Sequence, residues 1–158
     1  MHAFMPITPF HFGPGAAIHA AVPRYVSFLA FCAANILMDV EPLYYMLTQQ
    51  YPLHRFFHTY IGAAIVAAVT VGLFEVARRV VEKIPSLRAV ALGAAVGTLS
   101  HVFLDSIMHR DIKPFAPFFD ANPFLGILSL PALHWSCLVT GGVGVAIIMA
   151  RSMKSTSS

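Results

Sequence analysis

LRAVALGAAVGTLSHVFLDSIM, residues 87–108, decides how the rest of the chain is read. Between Arg88 and Asp105 its only ionisable side chain is His101. A helix of about 20 apolar residues crosses the hydrocarbon core of a bilayer, so the stretch reads as a transmembrane helix. His101 and Asp105 are four apart and share one face toward one end of that helix, and His109 extends the same stripe. Ionisable groups at such a depth are costly unless paired or in use. The segment therefore raises the question of fold and the question of function together.

Working outward, residues 59–77 and 124–150 are also long and apolar enough to cross. A fourth stretch, 25–47, is uncharged except for Asp39 and Glu41, and Pro42 is expected to kink or end it, leaving its second half outside lipid. Ahead of it lies a short apolar arm, 15–22, closed by the turn signal Pro23-Arg24. As helices, 11–22 would rise about 18 Å and 25–39 about 22 Å, so an antiparallel hairpin would bring His11 and Asp39 to similar depth. The expected fold is all-α: an integral membrane bundle of four main apolar helices plus the N-terminal helical arm. Residues 1–150 form one membrane-embedded domain and 151–158 a short polar cytoplasmic tail.

Composition agrees, with 58% hydrophobic and 11% charged residues in a chain of 158. The basic residues fall between apolar runs without interleaved aromatics, which speaks against nucleic-acid binding. Cys32 and Cys137 sit in apolar segments without CxxC spacing and read as small buried hydrophobes. The start MHAFMPITPFHFGPG lacks a basic region and an unbroken apolar run, so no cleaved signal is expected. The proline-broken loop 110–123 should pack over one end of the bundle.

Lys and Arg accumulate in cytoplasmic loops. Arg24, Arg78, Arg79, Lys83, Arg88, Arg151 and Lys154 would share one side, leaving Arg55, Arg110 and Lys113 opposite. The C-terminus is then cytoplasmic, and the N-terminus is on the outer side if the arm counts as a crossing.

At the outer end of the segment 59–77 stands HRFFHT, with His54 and His58 again four apart. Imidazole pairs with nearby carboxylates suit zinc, manganese or iron. His11, Asp39, His54, His58, His101 and Asp105 are thus expected at a common level as ligands of one or two divalent ions, zinc leading. Each has a plainer reading: histidines also hydrogen-bond between helices, Asp39 could cap a helix, and Asp105 could pair with Arg110. Glu41 is held as an outer partner of the site. His134, beside Trp135, reads as an interfacial or interhelical histidine; His2 and His19 look incidental. Arg55, Arg110 and Lys113 could bind an anionic substrate such as a phosphoester, or pair with Asp111 and Asp120.

These motifs, taken in order, resemble the small membrane-bound metal-dependent hydrolases of bacteria and archaea, also labelled LexA-binding inner-membrane-associated hydrolases. The likeness covers most of the chain. It rests on His11 in TPFHFGPG, on LMDVEP with Asp39 and Glu41, on His54, Arg55, His58 and Thr59 in HRFFHT, and on Ser100, His101 and Asp105 in SHVFLD. HRFFHT is one residue shorter than the usual form, and LMDVEP has Glu in place of a second Asp. The resemblance implies a multi-pass protein of the inner membrane with hydrolase activity; nothing in these residues supports the LexA association of the family label, and protein partners stay open.

The leading functional expectation is hydrolysis by a metal-activated water, with Asp39 or Asp105 bridging or ligating and a carboxylate, Glu41 among them, as general base. A site at the outer bilayer edge favours a lipid or lipid-linked phosphoester. The alternatives are a metal-ion or proton transporter or channel, and a non-catalytic scaffold with a structural metal. Residues 63–71 and 90–96 are almost wholly apolar, which opposes a continuous polar path.

Overall fold

A computed structural model describes residues 10–156 of the chain. His2 and the last two residues of the expected tail lie outside them. The described residues form helices and no strands: α1 (Phe12–Ala21), α2 (Phe28–Met38), α3 (Val40–Leu47), α4 (Tyr60–Ala77), α5 (Leu87–Met108) and α6 (Leu130–Thr156). Three of them, α4, α5 and most of α6, are long and apolar enough to cross a membrane.

The expected fourth long helix is two short ones. α2 has 11 residues and α3 has 8, and 11 residues rise only about 16 Å. The break falls at Asp39, which ends α2 and starts α3 with φ −77° and ψ −7°. Pro42 follows in the first turn of α3, where a missing N–H costs nothing. The last helix also differs from expectation. Residues 124–129 stay in turns, Pro131 fits the first turn of α6, and the helix runs past Ala150 to Thr156.

Side chains start the helices in the ordinary way. Ser27, Thr59 and Ser86 each accept the backbone N–H three residues on, from Ala30, Gly62 and Ala89, at 3.2, 2.9 and 3.3 Å. α5 is the central element, packed against both α2 and α4, while α6 packs on α1. Its buried face reads Val90, Gly93, Ala94, Gly97, Thr98, His101, Val102, Asp105. A Cβ on Gly93 would lie 2.3 Å from the Ser27 carbonyl oxygen, and one on Gly97 2.8 Å from that of Phe31. Small residues thus let the α2 and α5 backbones approach closely, the usual means of helix association in lipid. The α1–α6 contact is built the same way, through Gly13 and Gly144.

The chain runs back and forth so that the start of α1, the end of α2, the start of α4 and the end of α5 share one end of the bundle. Met38, Ala63, Val66 and Val102 form a buried apolar floor beneath that end. The loop after α5 folds back over it as expected: Tyr60 N–H donates to the Pro114 carbonyl at 2.8 Å, and the Asn122 amide donates to those of Ser106 and His109.

Candidate metal centre

His101 and Asp105 stand on the small-residue face of α5, so the close packing that draws α2 and α4 in also draws their polar ends onto this pair. His101 Nε2 is 3.2 Å from Asp39 Oδ1 and 3.2 Å from Asp105 Oδ2. His58 Nε2 is 3.5 Å from Asp105 Oδ2. His11 Nε2 reaches Asp105 Oδ1 at 3.1 Å, and its Nδ1 lies 3.1 Å from His101 Nδ1. Asp39, His58, His101 and Asp105 each offer one ligand atom, all within 4.8 Å of one another. His54, Asp105 and His109 make a second group of the same kind, so Asp105 belongs to both.

These residues pair with one another and are also placed so that a cation could join them. Both ring nitrogens of His58, Nε2 of His101 and Oδ1 of Asp105 are buried and lack a hydrogen bond, although carboxylate oxygens or imidazole nitrogens stand a few ångströms away. Buried polar atoms without partners are rare and costly. A neutral His58 carries one N–H, with Glu41 beside its Nδ1 and Asp105 beside its Nε2, and one ligand atom from each of Asp39, His58, His101 and Asp105 is left for a divalent ion. Imidazole and carboxylate donors are compatible with zinc, manganese or iron alike.

Three further side chains orient the donors. The Asn35 amide donates to the Phe31 carbonyl at 2.9 Å, which turns its Oδ1 toward His101 Nδ1 at 3.0 Å. With Nδ1 donating to Asn35, His101 turns its Nε2 toward the carboxylates of Asp39 and Asp105. Asp111 does the same for His54, accepting from its Nδ1 at 3.0 Å and from the backbone N–H of Leu53 and His54 at 3.1 Å each. Burial works against ionisation of Asp111, but the His54 contacts outweigh it and hold its carboxyl well below the ordinary range. Glu41 accepts backbone N–H groups of Arg55, Phe56 and Phe57 at 3.1, 3.0 and 2.9 Å and lies 3.7 Å from His58 Nδ1. Burial is again opposed, here by the hydrogen bonds, and the Glu41 pKa is lowered.

The expected ligands His11, Asp39, His54, His58, His101 and Asp105 all come to this end of the bundle. Two expectations change. His54 and His58 are not a helical pair: α4 begins after Thr59, and their rings, 4.6 Å apart, are brought together by a loop wrapped around Glu41. Glu41, with three backbone donors and a lowered pKa, serves as the anchor of that loop and is a poor general base. Of the cations, Arg55 and Lys113 line one cavity of about 420 Å³ with His54, Phe56, Asp111 and Pro117. The Arg55 guanidinium lies 3.6 Å above the Tyr45 ring, and Lys113 pairs with Asp120 at 3.0 Å. Arg110 is exposed and does not line this cavity. Asp105 pairs with histidines and not with Arg110.

Sequence reasoning passed over Asn35 and Asp111 as partners of the site and left His109 as a mere continuation of a stripe. Asn35 did leave a signal, a lone amide four residues before Asp39 in an apolar helix. Asp111 left none, because its partner lies 57 residues away. His134 stacks on Phe10 at 4.6 Å, and His19 contacts the Val26 carbonyl at 2.7 Å; neither belongs to the two groups.

Comparison with known proteins gives one result. Searches of curated proteins and of solved structures returned no match. The model of the YdjM inner membrane protein family matches residues 5–156, and the chain belongs to that family.

Proposed function

We propose that the protein is a membrane-bound metal-dependent hydrolase acting at the outer face of the bilayer on an anionic, lipid or lipid-linked phosphoester. The observation that carries this reading is the set of buried, unpartnered donor atoms on His58, His101 and Asp105, with His11 and Asp39 against them. Asp39, His58, His101 and Asp105 would hold one divalent ion and His54, Asp105 and His109 a second. Ions so held would lower the pKa of a bound water and polarise the scissile group.

The remaining work falls to the chain. Asn35 and Asp111 orient the rings of His101 and His54. Asp39, whose side chain is 31% exposed against 5% for Asp105, is the carboxylate open enough to accept the proton of an attacking water. Arg55 and Lys113 present positive charge along the cavity beside His54, and Phe56 and Pro117 give it an apolar wall suited to the acyl or prenyl part of an amphiphile. Arg55 is held by Tyr45 and by the Pro52 carbonyl at 3.0 Å, so its charge is positioned in advance.

The test is metal analysis of protein purified in detergent with zinc, manganese or iron supplied. Turnover on matched water-soluble and lipid phosphoesters follows, with His101→Ala alongside. Bound metal with lipid-selective turnover that His101→Ala abolishes is the expected result. Failure to retain any of the metals would sink the hydrolase reading. Metal binding without turnover on either substrate set would favour the structural-metal alternative.

A further inference from the structure

At the end of the bundle away from the metal residues, the α1–α2 turn and the end of α6 form an open cavity of about 360 Å³ lined by Ala21, Val22, Pro23, Arg24, Tyr25 and Arg151. Its ionisable lining is two arginines and a tyrosine, with no carboxylate. Arg151 donates one guanidinium N–H to the Ala20 carbonyl at the end of α1, which fixes its head group. An Arg offers five N–H donors, so most of them remain for a ligand. Ser27 N–H donates to the Ala89 carbonyl at 2.9 Å, which sets this turn beside the start of α5. Ala89 lies about 24 Å along that helix from Asp105. Tyr25, 65% exposed, stands where aromatic side chains occupy the membrane interface. The basic residues assign this end to the cytoplasmic side, whose leaflet carries anionic lipid.

We propose that this cavity is a binding site for the phosphate head group of an anionic phospholipid. Arg24 and Arg151 bracket the phosphate, Tyr25 lies at the level of the glycerol backbone, and the apolar rim of Ala21, Val22 and Pro23 faces the first carbons of the acyl chains. The site is separate from the hydrolytic centre and does not depend on it.

The test uses the full chain in neutral detergent, with phosphatidylglycerol, phosphatidylcholine and glycerol phosphate as probes. Native mass spectrometry reads occupancy and thermal unfolding reads stabilisation. Phosphatidylglycerol should bind and raise the melting temperature, and neither phosphatidylcholine nor glycerol phosphate should do so at equal concentration. Each Arg near such a surface is worth about a fivefold change in affinity, so Arg24→Gln should weaken phosphatidylglycerol about fivefold and Arg24→Gln with Arg151→Gln about thirtyfold. Arg79→Gln with Lys83→Gln, basic residues of the same end outside the cavity, should leave it unchanged. Equal loss in that control would show diffuse attraction and overturn the site. So would equal binding of phosphatidylcholine, or unaltered affinity in Arg24→Gln. Equal stabilisation by glycerol phosphate would reject the lipid in favour of a soluble phosphate. Metal content, read on the same samples, should not change in any of these variants, which keeps the outcome apart from that of the hydrolase test.

Discussion

α5 and α6 are both long and apolar enough to cross a membrane, yet they are built for opposite surroundings. In its most apolar stretch 44% of the residues of α5 are buried within the protein, against 17% of those of α6. α5 is enclosed by α2 and α4, and it carries His101 and Asp105. α6 packs chiefly on α1, and Leu138, Val139, Val143, Val145 and Met149 stay exposed on it, as a lipid-facing helix requires. The difference teaches where a membrane protein can keep charge. Two helices of similar apolarity are told apart by what packs on them, and the buried His101–Asp105 pair stands where other chain segments supply partners.

The largest effect should come from the side chain on which that enclosure converges. Asp105→Asn removes the charge shared by both donor groups. Metal content should fall below about a tenth of wild type, and phosphoester turnover should drop at least about a hundredfold. Mass spectrometry of the metal and a steady-state assay check this, and a fully loaded Asp105→Asn protein would break the assignment. Next is the support around the donors. Asp111→Asn should weaken metal affinity by about 10- to 100-fold while leaving the helical content intact, as read by metal competition and circular dichroism.

Two alanine substitutions then sharpen the helix comparison itself. Gly93→Ala on α5 drives a Cβ against the Ser27 carbonyl and should destabilise by about 1–3 kcal/mol. Gly142→Ala on α6 meets nothing within 4 Å and should stabilise by up to about 1 kcal/mol through helix propensity. Thermal unfolding in detergent measures both. If the two substitutions behaved alike, the contrast between an enclosed and an open helix would be lost.

Much of this organisation was legible in particular residues. The apolar lengths gave α4, α5 and α6, because crossing a bilayer is a requirement on composition and length alone. His101 and Asp105 were legible as a pair because a helix puts i and i+4 on one face. The His54–His58 pair was read correctly as neighbours but through the wrong cause, since a loop tied to Glu41 joins them. The break at Asp39 was displaced to Pro42, which turned out to be a comfortable first-turn proline. The backbone bends where Asp39 ends one helix and meets His101.

By itself, then, the sequence determined a membrane protein with several histidines and carboxylates expected toward one end of its helices, because hydrophobic length and helical period are local properties. Only the tertiary structure decided which donors share a point. Asn35, Asp111 and His109 join the site, Glu41 withdraws to an anchoring part, and Arg110 stays outside the cavity that Arg55 and Lys113 line. These assignments depend on how close the α2 and α5 backbones come and on where the 48–59 and 110–123 loops fold. Those are contacts between residues far apart in the chain, and no periodicity records them.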